Sequence, residues 1–575
     1  MKNIEIASIF YAMADILELQ DVKWKPIAYR KAARAIETLS EPIEEVYKKG
    51  GIKALMEIPG VGEAIAKKTE EFILTGKVKE YERLRKKIPK GLREIMDLQG
   101  LGPKKAIRLY KELKINSIDE LEAAAKEGRI AKLEGFGKKT EENIIKAIEI
   151  AKKGKERLPL GVALPIAREI VEELKSTKGV KRIEIGGSLR RRVETIGDID
   201  ILAEVAEGKE IMDRFVSLPN VVEVLAKGEK KSMIVIEKGD YRIQVDLRII
   251  ESKSFGAALQ YFTGNKEHNI ELRKIAISKG WKLNEYGIFK GEKQIAGEKE
   301  EEIYEKLGMK WIPPELRENK GEIKAAIDDK LPNLIEVKDI KGDLHVHTNW
   351  SEGTGTIEEM VIAAKKKGYE YIGIADHSKS ERIANGMDEK RIQEQIEAIK
   401  EIRKKIKGIQ ILHSSEVSIL PDGSLDYSDD ILKRLDYVIA SVHSRFKSPK
   451  SEMTNRILTA LENKYVRILG HPTGRLINER MPYEVDMDQI MEVCKEKNIA
   501  MEINSFPLRL DLNDVYARKA KEIGIKLCIN TDAHAVDHLN YMEYGVGVAR
   551  RGWCEKNDVL NAMDFKRLID WFSKR

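Results

Sequence analysis

Hydrophobic positions recur at helical spacing through the first third of the chain, in MKNIEIASIFYAMADILEL at the start and in VKWKPIAYRKAARAI (22–36). Glycine turns interrupt the pattern at IPGVGEAIAKK, LQGLGPKKAIRLY and LEGFGKKTEENI, which begin at Ile58, Leu98 and Leu133. Each turn is followed by a fresh helical period, which predicts an all-α front third built of paired helices. After KKGKERLPLG (152–161) comes one more helix, VALPIAREIVEELKS, and then the period falls to two. VKRIEI, GDIDILAEV and RIQVDLRII alternate apolar with polar residues, as strands with one buried face do. Beyond residue 341, apolar runs alternate with helical segments: GDLHVH, YIGIADH, IQILHSSEV, YVIASVH, VRILGH, AMEINS and KLCINTDAH. Seven strands separated by helices predict a distorted (β/α)7 barrel.

At 575 residues the chain is long enough for roughly three to five domains. Its net charge of +7 is modest, but the first 157 residues are dense in Lys and Arg and poor in aromatics, which suits a surface that meets phosphate. Cys494, Cys528 and Cys554 are odd in number and far apart, which fits neither a disulfide framework nor a CxxC metal site and points to a reducing compartment. Glu5, Asp15 and Glu18 fall inside the first helical pattern, so it is neither a signal peptide nor a membrane span. A cytoplasmic protein with no membrane partner is expected. Eight of the nine histidines lie after residue 340.

The three turns place Gly60 and Gly62, Gly100 and Gly102, and Gly135 and Gly137 ahead of helices that begin with lysines. Glycine permits close backbone approach, and a helix start offers unpaired N–H groups to phosphate. This is the helix-hairpin-helix logic of DNA binding without sequence readout. Together with the upstream helix that carries Lys25, Tyr29, Arg30 and Lys31, the first turn resembles the lyase domain of family X DNA polymerases, the DNA polymerase beta family. The resemblance implies that Lys68 forms a Schiff base with an abasic sugar, and that Lys25 and Tyr29 lie against the DNA 5′ end. A Schiff-base lysine must lose its proton, so neighbouring cations that lower its pKa are expected. Ala64 stands where the family carries a further lysine.

In VKRIEIGGSLRRRVETIGDIDILAEV a strand runs into Gly186, Gly187 and Ser188, and ten residues after Ser188 comes Asp198. Two-residue periodicity puts Asp198 and Asp200 on one side of their strand, and Asp246 falls on the polar side of RIQVDLRII. Three carboxylates on neighbouring strands can hold two Mg²⁺ or Mn²⁺ ions about 4 Å apart, the arrangement of two-metal phosphoryl transfer. The turn with Gly187, Ser188 and Arg191, and Gly197 beside the aspartates, are expected to meet the triphosphate. YFTGNKEHNIELR resembles the nucleotide-selection segment of DNA polymerase beta. By that resemblance Tyr261, Phe262 and Gly264 discriminate the sugar, Asn269 meets the incoming base, and Arg273 and Arg248 contact DNA. Gln244, Ile270 and Glu271 depart from the family's polar or basic residues.

In the barrel segment the strand ends carry His345, His347, His377, Glu416, His443, His471, Asp532 and His534. Imidazole mixed with carboxylate suits Mn²⁺, Zn²⁺ or Fe²⁺. The pattern resembles the polymerase and histidinol phosphatase (PHP) domain found at the C-terminus of bacterial and archaeal family X polymerases. By that resemblance two to three metals are held: one by His345, His347, Glu416 and Asp532, a second by Glu416 and His443, and a third by His377, His471 and His534 with Glu352. Arg445 and Arg509 are expected phosphate contacts, and His413 and His538 are structural.

The expected organisation is a helical lyase-like domain at 1–85, a helix-hairpin-helix domain at 86–157 and a nucleotidyltransferase palm at 158–260. A nucleotide-selection subdomain at 261–316, a polar linker at 317–341 and a PHP phosphoesterase barrel at 342–575 complete it. The expected function is gap filling in DNA repair by an α+β nucleotidyltransferase palm, with 3′–5′ exonuclease or phosphoesterase activity in the barrel and abasic-site cleavage as a further activity. Gapped or nicked DNA and deoxynucleoside triphosphates are the expected partners of a monomer. The alternatives are an end-processing nuclease with a weak polymerase core, a non-catalytic DNA-end scaffold, and a barrel acting on a small phosphate ester.

Overall fold

The computed structural model describes residues 2–574 apart from 20–21, 38, 40–42, 76, 86–91, 93–94, 96–100, 102, 134–135, 139, 142–143, 146–147 and 149–156. The chain divides into two compact units: 1–156 with 269–295, and 157–268 with 296–575.

The first unit is helical. Helices Lys2–Leu19, Lys25–Glu37, Ile43–Met56, Glu63–Thr75 and Lys79–Arg85 close over a core that includes Ile6, Phe10, Met13, Ile36 and Phe72. Helix Ile43–Met56 is kinked at Gly50 and Gly51, where Gly51 has φ of +60°. A second core gathers Leu101, Leu109, Leu121 and Ile144. It includes helix Ile118–Lys126, which Ser117 caps by accepting from the Glu120 N–H. Residues 269–295 add most of helix Lys266–Ser278 and strands of a small three-stranded sheet.

In the second unit the palm is a five-stranded sheet. Its strands are β1 (Val180–Ile185), β2 (Asp198–Val205), β3 (Val221–Lys227), β4 (Lys231–Lys238) and β5 (Tyr241–Ile249), in the order β1-β2-β5-β4-β3. Only β2 and β5 run parallel; the other pairs are antiparallel. Helix Leu160–Lys175 lays Ala163, Ile166, Ala167 and Ile170 onto the sheet, whose Ile199, Ile201, Val245 and Leu247 are fully buried.

The barrel has parallel strands β6 (Gly342–Val346), β7 (Tyr371–Ile374) and β8 (Gln410–His413). It continues through β9 (Glu416–Ser418), β10 (Val438–Ser441), β11 (Val466–Leu469), β12 (Ala500–Asn504) and β13 (Leu527–Asn530). The predicted strand IQILHSSEV is broken at Ser414 and Ser415, so its first half pairs with β7 and its second with β10. The His347 N–H donating to Ala533 O at 2.8 Å closes the ring between β6 and the end of β13. Strands β6, β7, β9, β10, β12 and β13 are buried along their length, as both-sided burial requires in a parallel barrel, while β8 exposes Gln410 and β11 leaves Arg467 half-buried.

Residues 317–341, expected as a polar linker, are instead partly packed. Arg317 is fully buried and donates to Glu300 at 2.6 Å, and Glu322 is fully buried against the His268 ring at 2.7 Å. Each buried charge there has a partner, which is what makes its burial tolerable. All three cysteines are buried and outside any disulfide, and no helix of the described residues is long and apolar enough to cross a membrane.

Candidate functional site

The parallel pairing of β2 with β5 sets Asp200 directly beside Asp246 and Asp198 beside Gln244. Because Ile199 and Ile201 are buried in the core, the alternating aspartates are forced onto the opposite face. The glycine turn packs on them. The Gly186 N–H donates to Asp200 O at 2.8 Å, and Gly187 has φ of +64° with so little room that an added Cβ would stand 2.6 Å from Asp200 Oδ2. Only glycine fits there.

Burial, then Asp198 and Asp246, push the Asp200 carboxyl up to about 7, and burial with Asp246 also raises Asp198. Acids that resist ionising together invite a cation between them, so the donor set fits divalent ions. Lys231 Nζ lies 2.8 Å from Asp246 Oδ2, and Gln244 Nε2 donates to Asp246 Oδ1 at 2.7 Å. Lys231 on β4 thus sets a cation beside the third aspartate, where Gln244 brings none. A measurable consequence concerns pH. A carboxyl with a raised pKa binds protons more readily, and protons compete with the metal. The Mg²⁺ concentration that half-supports nucleotide incorporation is therefore expected to rise as pH falls from 8 to 6, by up to about tenfold per unit below pH 7. A midpoint independent of pH would count against Asp200 as a ligand.

Around this face the predicted nucleotide residues are partly assembled. Arg191 in the turn donates through Nε to Glu318 at 2.9 Å and through Nη1 to Thr263 O at 2.5 Å, which ties the glycine turn to the Tyr261–Gly264 segment. Tyr261 and Phe262 meet edge to face at 5.2 Å, and Gly264 ends their helix with φ of +69°. Arg248 lies over the Phe262 ring at 4.4 Å and 3.6 Å from Asp246, so the sheet itself engages it. Ser188 is half-buried in the turn, and a Cβ at Gly197 would stand 3.1 Å from Arg157 Nη1. Asn269, buried, and Arg273, half-buried, belong to the first unit.

In the first unit Gly60 has φ of +89° and is covered by the stem of Lys31, 2.8 Å from where a Cβ would stand. The Gly62 carbonyl accepts from the Ile65 and Ala66 N–H groups and so starts the next helix. Gly137 also has positive φ, while Gly100, Gly102 and Gly135 lie outside the described residues. Lys25 is exposed beside Trp24, which is 80% exposed, and Tyr29 is buried against Phe10. The surroundings of Lys68 differ from expectation. Its Nζ lies 2.9 Å from Glu80 rather than among cations. Burial works to lower its pKa, but the Glu80 carboxylate and the Tyr29 hydroxyl outweigh it and raise the value, holding the amine protonated.

The barrel's strand ends collect the second centre. Three sets of donor atoms each fall within 4.8 Å: His345, His347 and Asp532; His377, Glu416 and His443; and His347, His377 and His534. Glu352 joins the last set, with Oε1 at 3.1 Å from His377 and 2.8 Å from His534. His471 stands apart from the expected grouping with His377 and His534. Its Nε2 is 2.7 Å from Glu416 Oε1, beside His443. Barrel order explains this. His471 follows β11 and His443 follows the adjacent β10, whereas His377 and His534 follow β7 and β13, on either side of β6.

Among the described residues His345 Nε2, His347 Nε2 and His377 Nδ1 are buried without a hydrogen-bond partner and face carboxylate oxygens at 3.3, 3.0 and 3.1 Å, an arrangement that suits shared metal ligation. Burial, then His534 and His377, push His347 down to about 3, which keeps its imidazole neutral. Burial opposes ionisation of Glu416 and Asp532, but the surrounding histidines hold both well below the carboxylate range. Burial works to lower His345, His377 and His534, but the neighbouring carboxylates outweigh it and raise all three, His534 to about 9, so these imidazoles release a proton when they bind metal.

Arg509 approaches within 3.5 Å of Asp532 and has a buried Nη1 without a partner, while Arg445 is exposed with φ of +55°. His413 bonds Gln395, whereas His538 stacks on Tyr541 and its Nδ1 accepts from the His534 N–H at 3.3 Å; neither belongs to a donor set.

A buried carboxylate that the sequence did not single out supports this centre. Glu502 in β12 is fully buried, accepts from His345 Nδ1 at 2.7 Å, and accepts from the His471 N–H at 2.8 Å. Asn530 Nδ2 donates to it at 2.9 Å. In the sequence AMEINS reads as a strand, and an acid flanked by Met501 and Ile503 is the available signal. Glu502→Gln keeps the shape and removes the charge. It is expected to weaken metal binding about 10- to 100-fold, read as metal retained per chain after dialysis against graded chelator.

Family models match the chain in four places: a helix-hairpin-helix domain at 1–78, a SAM-like helix-hairpin-helix tandem at 92–149, the DNA polymerase beta thumb at 258–318 and the PHP domain at 343–506. The DNA polymerase/3′-5′ exonuclease PolX of Bacillus subtilis (strain 168) is 40% identical over 581 residues, covering 100% of both chains. The chain belongs to the family X DNA polymerases. Probable phosphatases of Thermoanaerobacter sp. (strain X514) and Caldicellulosiruptor bescii are 32% and 31% identical, over 230 and 201 residues that cover 38% and 33% of this chain. Those alignments span 89% and 79% of the phosphatases, whereas the polymerase relative matches this family X chain end to end.

Proposed function

We propose that this chain is a repair DNA polymerase that fills short gaps and trims 3′ ends, with the palm and the barrel acting as separate metal-dependent centres. The observation that carries the reading is the parallel β2–β5 register, which sets Asp200 beside Asp246 with Gly187 pressed against Asp200. Bound divalent ions, Mg²⁺ or Mn²⁺ in the palm and two to three Mn²⁺, Zn²⁺ or Fe²⁺ in the barrel, supply activation of the attacking oxygen and stabilisation of charge at phosphorus.

The chain's own groups do the rest. Asp198, Asp200 and Asp246 hold the palm ions, and Gly187, Ser188 and Arg191 orient the triphosphate. Tyr261, Phe262 and Gly264 face the sugar, while the basic helical modules bind gapped or nicked DNA. In the barrel the eight strand-end ligands with Glu352 hold the ions, and Arg509, near Asp532, meets the phosphate ester. The Glu80 ion pair on Lys68 speaks against Schiff-base chemistry as a principal activity.

The test is a one-nucleotide-gapped duplex with a 5′-labelled primer, incubated with Mn²⁺ and the complementary deoxynucleotide, with primer length followed over time. Extension together with shortening in the absence of nucleotide is expected. Shortening alone would leave a nuclease with a vestigial polymerase core, and neither would leave a DNA-end scaffold. The match of probable phosphatases over 38% of the chain, with a PHP domain at 343–506, favours one second reading, hydrolysis of a small phosphate ester. Turnover of such an ester far above that of DNA would establish it.

A further inference from the structure

The barrel reaches into the polymerase half of its unit through helix Met542–Arg551. At one end of this helix Glu543 accepts a two-pronged bond from Arg168 at 2.8 and 2.7 Å. Midway, Gly547 lies against the stem of Arg192, 3.4 Å from where a Cβ would stand. At its C-terminal end Arg551 Nη1 donates to the backbone oxygen of Arg191 at 3.0 Å and to Glu318 Oε1 at 2.9 Å, while Nη2 donates to Asp514 at 3.0 Å.

Glu318 is the junction. The same Oε1 accepts from Arg191 Nε at 2.9 Å, and Oε2 accepts from Asn265 Nδ2 at 2.8 Å, the residue after the Tyr261–Gly264 turn. Both arginine side chains and the carboxylate are at most 16% exposed. Burial opposes ionisation of Glu318, but Arg551 and Arg191 lower its pKa, so the junction holds an ionised carboxylate between two cations.

We propose that Arg551, from the barrel, is a positioning residue for the incoming nucleotide: it shares the charge of Glu318 so that the guanidinium of Arg191 stays available to the triphosphate. This deepens the polymerase reading above and rests on it. The argument is one of charge sharing. A buried carboxylate with a single cationic partner draws that partner into a closed pair, and a forked guanidinium committed in this way offers less to phosphate. With Arg551 present, Glu318 is satisfied from a second side and Arg191 keeps net positive character. Arg551 also holds the backbone of the turn directly. The polymerase site is thus completed by a helix of the hydrolytic domain without that helix touching the substrate.

The experiment uses the full chain as wild type, R551A, R551K and the double variant R551A/E318Q. Single-nucleotide incorporation on a gapped duplex is measured across nucleotide concentration, and primer shortening without nucleotide is measured on the same preparations. R551A is expected to raise the nucleotide KM about tenfold, with kcat changed less than about threefold and shortening unchanged. R551K, which keeps the charge and loses the fork, should fall between. Removing the uncompensated carboxylate in R551A/E318Q should recover most of the KM.

An unchanged KM in both R551A and R551K overturns the proposal. So does a joint fall of kcat and shortening, which marks a merely structural contact, and so does a double variant no better than R551A. A wild-type chain that incorporates nothing overturns the polymerase reading itself, before any variant is compared.

Discussion

Asp246→Asn is expected to stop nucleotide incorporation, by about a thousandfold or more, while primer shortening continues at the wild-type rate. The substitution removes one charge and almost no volume. Asp246 is 5% exposed in β5, with Gln244 donating to one oxygen and Lys231 2.8 Å from the other. Asparagine can still accept from either neighbour through its carbonyl, so the strand and the sheet should survive.

What goes is the third negative charge beside Asp198 and Asp200, and with it the capacity to hold a cation against the primer terminus. The pair of readouts separates causes. A misfolded palm would also disturb the barrel packed in the same unit, and shortening would fall as well. Incorporation kept within tenfold of wild type would remove Asp246 from the metal site and leave the glycine turn as a scaffold for something else. The assay is single-turnover extension of a labelled primer, with shortening measured in parallel without nucleotide.

The sequence made the centres legible where local geometry decides them. Period two alone places Asp198 and Asp200 on one face, and burial of Ile199 and Ile201 enforces it. The barrel histidines were legible because each ends an apolar run, and parallel barrels carry their chemistry at strand ends. What escaped depends on strand order. His471 pairs with Glu416 and His443 because β11 neighbours β10, which spacing along the chain cannot reveal. Glu502 escaped because a buried acid inside an apolar strand is meaningful only once His345 and His471 stand beside it. The setting of Lys68 escaped for the opposite reason: lysines stand near the start of its helix, but Glu80, twelve residues on, folds back onto its amine. Segment 317–341 reads as polar, yet Arg317 and Glu322 find buried partners at Glu300 and His268, so polarity there marks a network.

Glu416→Gln is expected to have the mirror effect, with primer shortening falling about a thousandfold or more and incorporation retained. Glu416 is 1% exposed, and its two oxygens face four imidazoles of the cluster. Its Oε1 lies 2.7 Å from His471 and 3.1 Å from His443, and its Oε2 lies 3.3 Å from His345 and 3.1 Å from His377. His347 and His377 each serve two donor sets, but an imidazole ligates as a neutral group, whereas this carboxylate brings a negative charge to both sides of the cluster.

Glutamine fills the same volume and can bond neutral imidazoles, so β9 should keep its place. It cannot supply the negative charge that, with Asp532 and Glu352, offsets cations drawn together among buried imidazoles, and like charges that close repel more without it. Metal bound per chain should therefore fall along with activity. The readouts are primer shortening in Mn²⁺ and metal content after gel filtration. Full metal content with lost shortening would recast Glu416 as a proton-transfer group, and retained shortening would move the hydrolytic centre away from β9 altogether.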